Sequence, residues 1–197
     1  MPNVTRSLRS WAILLPVLLL SATGAALGFW KATAYDLTPG LPASPTTQWP
    51  TTADLPRNPN TATLVVTVHP SCPCSRATLQ ELSVLMTHHR DRLTAYVLFE
   101  RPAGFITPWE QTSLWNNALI TGVTRVPDES HLGVQTFGAR TSGQVLLYDA
   151  AGHLRFSGGI TSSRGHMGDN LGLRAIMAFL ESGAIPVPET PVYGCAL

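Results

Sequence analysis

Two cysteines separated by a single proline, Cys72-Pro73-Cys74, constrain this chain more than any other feature. They follow an apolar, β-branched run from Ala62 to His69, whose length and composition predict a buried strand. They precede a stretch from Ser75 to about His89 with leucines at helical spacing. The dithiol therefore lies where a strand passes into a helix. The free amides and positive dipole end of a helix stabilise a thiolate, the form of cysteine that attacks disulfides and binds soft metals.

The cysteine count supports a chemical role for this pair. The chain has three cysteines, and the third, Cys195, lies near its carboxyl end. A pair one residue apart indicates chemistry rather than a disulfide framework. The alternative is a chance pair at a buried turn, which is less favoured because Pro73 rigidifies the turn. A net charge of +1 gives no electrostatic reason to expect a nucleic acid partner.

The amino-terminal region predicts a membrane segment. Residues 11–30 carry no ionisable side chain and approach the length needed to cross a bilayer. Arg6 and Arg9 precede this run and only Lys31 follows it, so the positive-inside rule places residues 1–10 in the cytoplasm and the rest of the chain outside. The alternative is a cleaved signal peptide, because small residues at 21–26 resemble a cleavage site. Both interpretations place the domain in a compartment where disulfides persist.

The rest of the chain divides into a linker, one domain and a tail. Residues 31–60 are rich in Pro, Thr and Ser without apolar periodicity, which predicts a linker. Residues 61–183 are expected to form the domain, and residues 184–197 a tail that carries Cys195. Residues 123–138 give no clear pattern. After the first strand and helix, the expected elements are a strand at 93–99, a helix from Thr107-Pro108 to about Ile120, a hairpin of 144–149 with 153–157, and a last helix that begins at Asp169 or Asn170 and ends at Gly183.

The expected order of strand, helix, strand, helix, hairpin and helix is that of the thioredoxin-like α/β fold, with the dithiol at the start of the first helix. The domain resembles a membrane-tethered thioredoxin-like protein. The segments HPSCPCSRATLQEL, LLYDAAGHLRFSGGIT, SRGHMGDN and PVYGC are similar to the bacterial family called RedB. This resemblance implies a single-pass protein of the bacterial inner membrane with its domain facing the periplasm or cell exterior. It also implies a thiol-disulfide oxidoreductase that acts on protein thiols and disulfides and needs no cofactor.

The chain departs from the usual thioredoxin-like pattern at two places. One residue instead of two separates the cysteines, so a disulfide between them is expected to be strained and easily reduced. The second departure lies just before the hairpin. The fold family usually has a cis-proline there, which helps to hold substrate and keeps metals away, whereas this chain has Thr141-Ser142-Gly143.

We expect the two adjacent cysteines to be catalytic. Cys72 is expected to attack a substrate disulfide, because it is the more amino-terminal and exposed member of the pair, and Cys74 to resolve the mixed disulfide. The main alternative is a copper-binding chaperone or assembly factor, in which Cys72, Cys74 and His69 hold Cu(I) through soft ligands. A third interpretation is a peroxidase-like reductant of small oxidants. The sequence shows no clear grouping of a threonine and an arginine around one cysteine that would support it.

Four further residues are auxiliary candidates. His69 and Arg164 are placed to lower a thiol pKa, and His166 to serve as proton acceptor or ligand. Cys195 is a candidate resolving cysteine or third metal ligand. The simpler alternatives are that His69 ends a strand, that residues 162–170 form a solvated helix cap, and that Cys195 lies in a frayed terminus.

Overall fold

The amino-terminal helix α1 (Val4–Leu37) is a unit of its own, and residues 38–197 form a second unit. The computed structural model describes residues 4–105 and 108–197. Among these, one segment is long and apolar enough to cross a membrane, Ile13–Leu37, with a mean hydropathy of 1.9. The helix thus continues beyond the end predicted at Trp30. A signal sequence can match this length and composition, so the helix alone does not distinguish a retained membrane anchor from a cleaved signal peptide.

The second unit is built on a five-stranded mixed sheet in the order β3-β2-β1-β4-β5. Its strands are β1 (Ala62–Val68), β2 (Leu93–Arg101), β3 (Val123–Glu129), β4 (Val145–Tyr148) and β5 (Leu154–Gly158). The first three are parallel, and β4 and β5 form an antiparallel hairpin beside β1. Helix α2 (Ser75–His89) connects β1 to β2, the short helices α3 (Ser113–Asn117) and α4 (Leu132–Thr136) precede and follow β3, and α5 (Leu171–Ser182) follows the hairpin. This topology is the thioredoxin-like fold and confirms the fold class predicted from the sequence. Strand β3 lies at the edge of the sheet, in the region where the sequence shows no clear pattern.

Apolar side chains cover both faces of the sheet because strand residues alternate between them. Leu64 and Val66 of β1 pack with the buried stripes of α2 and α5, and Val65 packs on the opposite face with Phe137 and Tyr148. β1, at the centre, is fully buried along its length. A rigid strand therefore leads into the dithiol.

Helix α3 (Ser113–Asn117) is shorter than predicted and begins later. Pro108 and Glu110 lie in a turn before it, and Thr107 lies outside the described residues. Glu110 is buried beside Arg101 instead of capping an exposed helix end. The actual cap is Thr112, whose hydroxyl accepts from the Leu114 amide at 3.3 Å. The Thr112 hydroxyl also donates to the Pro70 carbonyl at 2.7 Å, which ties α3 to the loop before the dithiol.

Residues 38–60 pack on the domain and so differ from the predicted linker. The ring of Trp49 lies 5.1 Å from that of Phe137 and 5.2 Å from that of Tyr148, centroid to centroid. The Gly40 amide donates to the Val192 carbonyl at 2.8 Å, and the Trp49 amide to the Gly152 carbonyl at 2.7 Å. A segment without apolar periodicity is ordered here because its backbone is paired and its tryptophan has an aromatic site to fill.

Candidate functional site

The dithiol occupies the turn between β1 and α2. The Cys72 amide donates to the His69 carbonyl at 3.0 Å, and the Ser75 amide to the Cys72 carbonyl at 3.2 Å. Cys74 is the N-cap residue of α2. Both cysteines are therefore at the strand-to-helix position that the sequence predicts. Cys72 is only 1% exposed and Cys74 8%, so the expectation that Cys72 is the exposed member of the pair is wrong.

Cys72 is surrounded by hydrogen-bond donors. Burial by itself raises the pKa of the Cys72 thiol, but its sulfur is hydrogen-bonded by the thiol and backbone amide of Cys195 and by the hydroxyl and backbone amide of Ser75. These bonds stabilise the charged form and outweigh burial, so the pKa of Cys72 lies below its ordinary value. Cys72 is thus the thiol most ready to act as a nucleophile.

The other two thiols are held protonated. Burial, and then the charge of Cys72, raise the pKa of Cys74, although a hydrogen bond from Arg164 partly opposes them. Burial and the hydrogen bond to Cys72 raise the pKa of Cys195 to about 12. Like charges so close together disfavour one another, so Cys72 ionises before the other two thiols. Arg164 also donates to the Gly194 carbonyl at 2.5 Å, so it joins Cys74 to the tail.

Ser142 joins the parts of this site, a role that the sequence did not indicate. Its hydroxyl oxygen accepts from the His69 amide at 2.7 Å and lies 2.6 Å from the Ser75 hydroxyl oxygen. Either hydroxyl can be the donor between the two serines. Polar contacts therefore run from the His69 amide through both hydroxyls to the neighbourhood of Cys72, and linked bonds of this kind polarise one another. The only sequence signal was a small, polar segment where the fold family usually has proline.

Of the auxiliary candidates, the structure brings Arg164 and Cys195 to the thiols. His69 is directed elsewhere: its Nε2 lies 3.7 Å from Glu100 Oε2, and its ring packs on Trp109. His166 is exposed, and its Nδ1 bonds the Arg164 carbonyl at 2.8 Å within its own loop. The loop at 162–170 therefore reaches the site through its arginine instead of its histidine.

The copper alternative predicts Cys72, Cys74 and His69 as ligands. Within residues 4–105 and 108–197, no group of three or more His, Cys, Asp or Glu side chains is arranged to hold a metal ion. His69 pairs with Glu100, so the predicted set of Cys72, Cys74 and His69 is not assembled. The soft donors that are present at the site are sulfur atoms.

Comparison with solved structures agrees with the fold. A conserved protein of uncharacterised function from Geobacillus kaustophilus superposes with a TM-score of 0.58 at 16% identity, over 81% of this chain and 91% of its own. A hypothetical protein from Sinorhizobium meliloti gives 0.59 at 18% identity, over 81% and 93%. The thioredoxin domain of a thiol-disulfide oxidoreductase from Bacteroides vulgatus is more distant, at 0.45 and 14%, over 73% and 99%. At these identities the likeness of the first two structures shows the fold alone. No family model and no curated protein matches the chain.

The hydrogen bonds to Cys72 predict how its reactivity depends on pH. We expect iodoacetamide to alkylate Cys72 with a midpoint below the ~8.5 of a free cysteine. Ser75→Ala and Cys195→Ala should each raise that midpoint, because each removes one side-chain donor to the thiolate and leaves the backbone donor. Peptide-resolved mass spectrometry measures the rate at Cys72 alone. Thr87→Ala, at an exposed position of α2, is the matched control. A wild-type midpoint at or above the free value would contradict the assignment of Cys72 as the thiolate.

Proposed function

We propose that this protein is a thiol-disulfide oxidoreductase in which Cys72 is the attacking thiolate. The observation that carries the proposal is the set of donors from Ser75 and Cys195 around a buried sulfur at the start of α2. These donors favour a thiolate despite burial, and the thiolate is the reactive species in disulfide exchange. The thioredoxin-like topology supports the same conclusion at the level of fold, because it places this sulfur at the amino end of a long helix.

The reaction begins with attack of the Cys72 sulfur on one sulfur of a substrate disulfide. A mixed disulfide forms, and the other substrate sulfur leaves as a thiolate. A second thiol of the protein then attacks Cys72, which releases the remaining substrate sulfur and leaves an internal disulfide. From sequence spacing, Cys74 is expected to be this second thiol. Protein disulfides are the proposed substrates, and no step calls for a cofactor.

The proposal also includes a membrane anchor. The apolar part of α1, preceded by Arg6 and Arg9, supports a single span in a bacterial inner membrane, with the domain in the periplasm or at the cell exterior. In such a compartment the dithiol needs a reductant to keep it reduced. The domain would then act on exported proteins near the membrane surface.

Reporter fusions test this topology. Alkaline phosphatase joined after Leu37, where the second unit begins, should be active, and a reporter that works only in the cytoplasm should be inactive at the same point. The full-length mass of the membrane-bound protein would show that the helix is retained, whereas loss of about the first 26 residues would show a cleaved signal peptide, since the small residues that suit cleavage lie there. An inactive phosphatase together with an active cytoplasmic reporter would contradict export.

The catalytic role of Cys72 is tested by insulin reduction under a thiol reductant. We expect Cys72→Ser to lower the rate to that of the reductant alone, because a hydroxyl is not ionised at neutral pH and does not carry out disulfide exchange. Ser71→Ala, at the exposed neighbouring position, should keep the wild-type rate. Unchanged activity in Cys72→Ser would contradict the proposal. If the wild-type protein has no exchange activity and instead binds stoichiometric Cu(I) through Cys72 and Cys74, the copper-handling function takes its place.

A further inference from the structure

The carboxyl-terminal residues are a built part of the site. The Ser142 amide donates to the Cys195 carbonyl at 2.8 Å, and the Leu197 amide donates to the Arg140 carbonyl at 3.1 Å. Thr141 and Ala196 form an antiparallel bridge between these two bonds. The tail therefore pairs with residues 140–142 as a short added strand. The alternative that Cys195 lies in a frayed terminus is therefore wrong.

Close backbone packing fixes the residue before Cys195. A Cβ atom on Gly194 would lie 1.8 Å from the Ser142 carbonyl oxygen, so only glycine permits this approach. On its other side, the Gly194 carbonyl accepts the hydrogen bond from Arg164. Gly194 and Ser142 thus set the position of Cys195 through main-chain contacts.

This position places Cys195 beside Cys72. Ser142, whose amide holds the Cys195 carbonyl, has its hydroxyl oxygen 2.6 Å from that of Ser75, whose amide donates to the Cys72 carbonyl. The Cys195 thiol is there a hydrogen-bond neighbour of the Cys72 sulfur. Cys195 is partly exposed, whereas Cys72 and Cys74 are buried. A disulfide needs a sulfur separation of about 2.05 Å and a suitable approach of both Cβ atoms. A short segment held by a few hydrogen bonds adjusts to that requirement at small cost, since each bond contributes about 1 kcal/mol net.

Cys74 is less free to make the same adjustment. Its backbone has helical dihedrals, φ −65° and ψ −31°, and its carbonyl accepts from the Ala77 amide at 3.1 Å. Pro73 fixes the φ angle between the two cysteines. A bond from Cys72 to Cys74 would close a very short loop and disturb the first turn of α2.

We infer that Cys195 is the redox partner of Cys72, so that the internal disulfide formed in turnover joins Cys72 to Cys195 and leaves Cys74 reduced. This inference rests on the proposed function and identifies the second thiol of the proposed reaction as that of Cys195. It makes the tail a catalytic segment that leaves residues 140–142 to admit substrate to Cys72 and returns to complete the reaction.

The steps balance as follows. The Cys72 thiolate attacks the substrate disulfide, one substrate thiolate leaves, and Cys72 is now neutral in the mixed disulfide. The negative charge that opposed ionisation of Cys195 is then gone, and the Cys195 proton passes to the departing substrate thiolate. The Cys195 thiolate attacks the Cys72 sulfur, the bond between Cys72 and substrate breaks, and the second substrate sulfur leaves as a thiolate. The protein loses two electrons and the substrate disulfide gains two.

Disulfide mapping of the full-length protein tests the pairing. The reduced protein is treated with oxidised glutathione, remaining thiols are blocked with N-ethylmaleimide, and the chain is digested with trypsin. Cleavage after Arg57 and Arg76 places Cys72 and Cys74 in one peptide, and cleavage after Arg174 places Cys195 in another. We expect these two peptides to be linked, with the blocked thiol on Cys74. A bond within the first peptide, with Cys195 blocked, would overturn the inference.

Single turnover with a peptide disulfide gives a second readout. Cys195→Ser should accumulate the mixed disulfide at Cys72 and release the second substrate thiol at least about 100-fold more slowly, since an intramolecular attack with a high effective molarity is lost. Ser71→Ala, at an exposed position beside the site, is the matched control and should keep the wild-type rate. Cys74→Ser is the competing variant: if Cys195 is the second thiol, the mixed disulfide at Cys72 should not accumulate in it. The reverse pattern would overturn the inference and leave the proposed function standing. Absence of any mixed disulfide in the wild-type protein and both variants would contradict the proposed function itself.

Discussion

The hydrogen bonds that converge on the Cys72 sulfur are the interaction on which the rest of the site depends. They come from two parts of the chain that are far apart in sequence, the start of α2 and the carboxyl-terminal tail. Ser142 connects these two parts, since its hydroxyl supports Ser75 and its amide holds the Cys195 carbonyl. The buried strand β1 supplies the fixed platform from which the turn begins. Loss of any one of these supports would weaken the hydrogen bonds that stabilise the Cys72 thiolate.

Burial and charge oppose each other at this site, and the outcome explains the different roles of the thiols. Burial favours the neutral form of all three cysteines, and only Cys72 has enough donors to overcome it. Burial, with the negative charge of Cys72 as a smaller cause, raises the pKa of Cys74 and Cys195. In the proposed reaction this charge disappears when Cys72 enters a mixed disulfide, which makes a neighbouring thiol easier to ionise. Electrostatics thus favours the order of steps in the proposed reaction.

The sequence predicts the local parts of this protein better than the long-range ones. The β-branched run of β1, the leucine stripe of α2 and the caps of α5 are local signals, and each leads to the observed element. The position of Cys72 and Cys74 follows from them. By contrast, the contacts of Ser142 join residues about 70 positions apart, and those of Trp49 depend on rings from other elements; no periodicity encodes either. The nearby histidine His69 suggested a thiol partner by sequence distance, whereas β1 directs it toward Glu100.

The central claim is that one thiolate, that of Cys72, forms in the folded protein below the pH at which a free cysteine ionises. Ultraviolet absorbance of the thiolate, measured against pH on the reduced full-length protein, counts these charges directly. The account predicts one thiolate per chain that forms below the ~8.5 of free cysteine and is lost in Cys72→Ser, with the other two thiols ionising above that value. It would be contradicted by a chain without a thiolate until pH rises above the free value, or by one whose low-pH thiolate remains in Cys72→Ser.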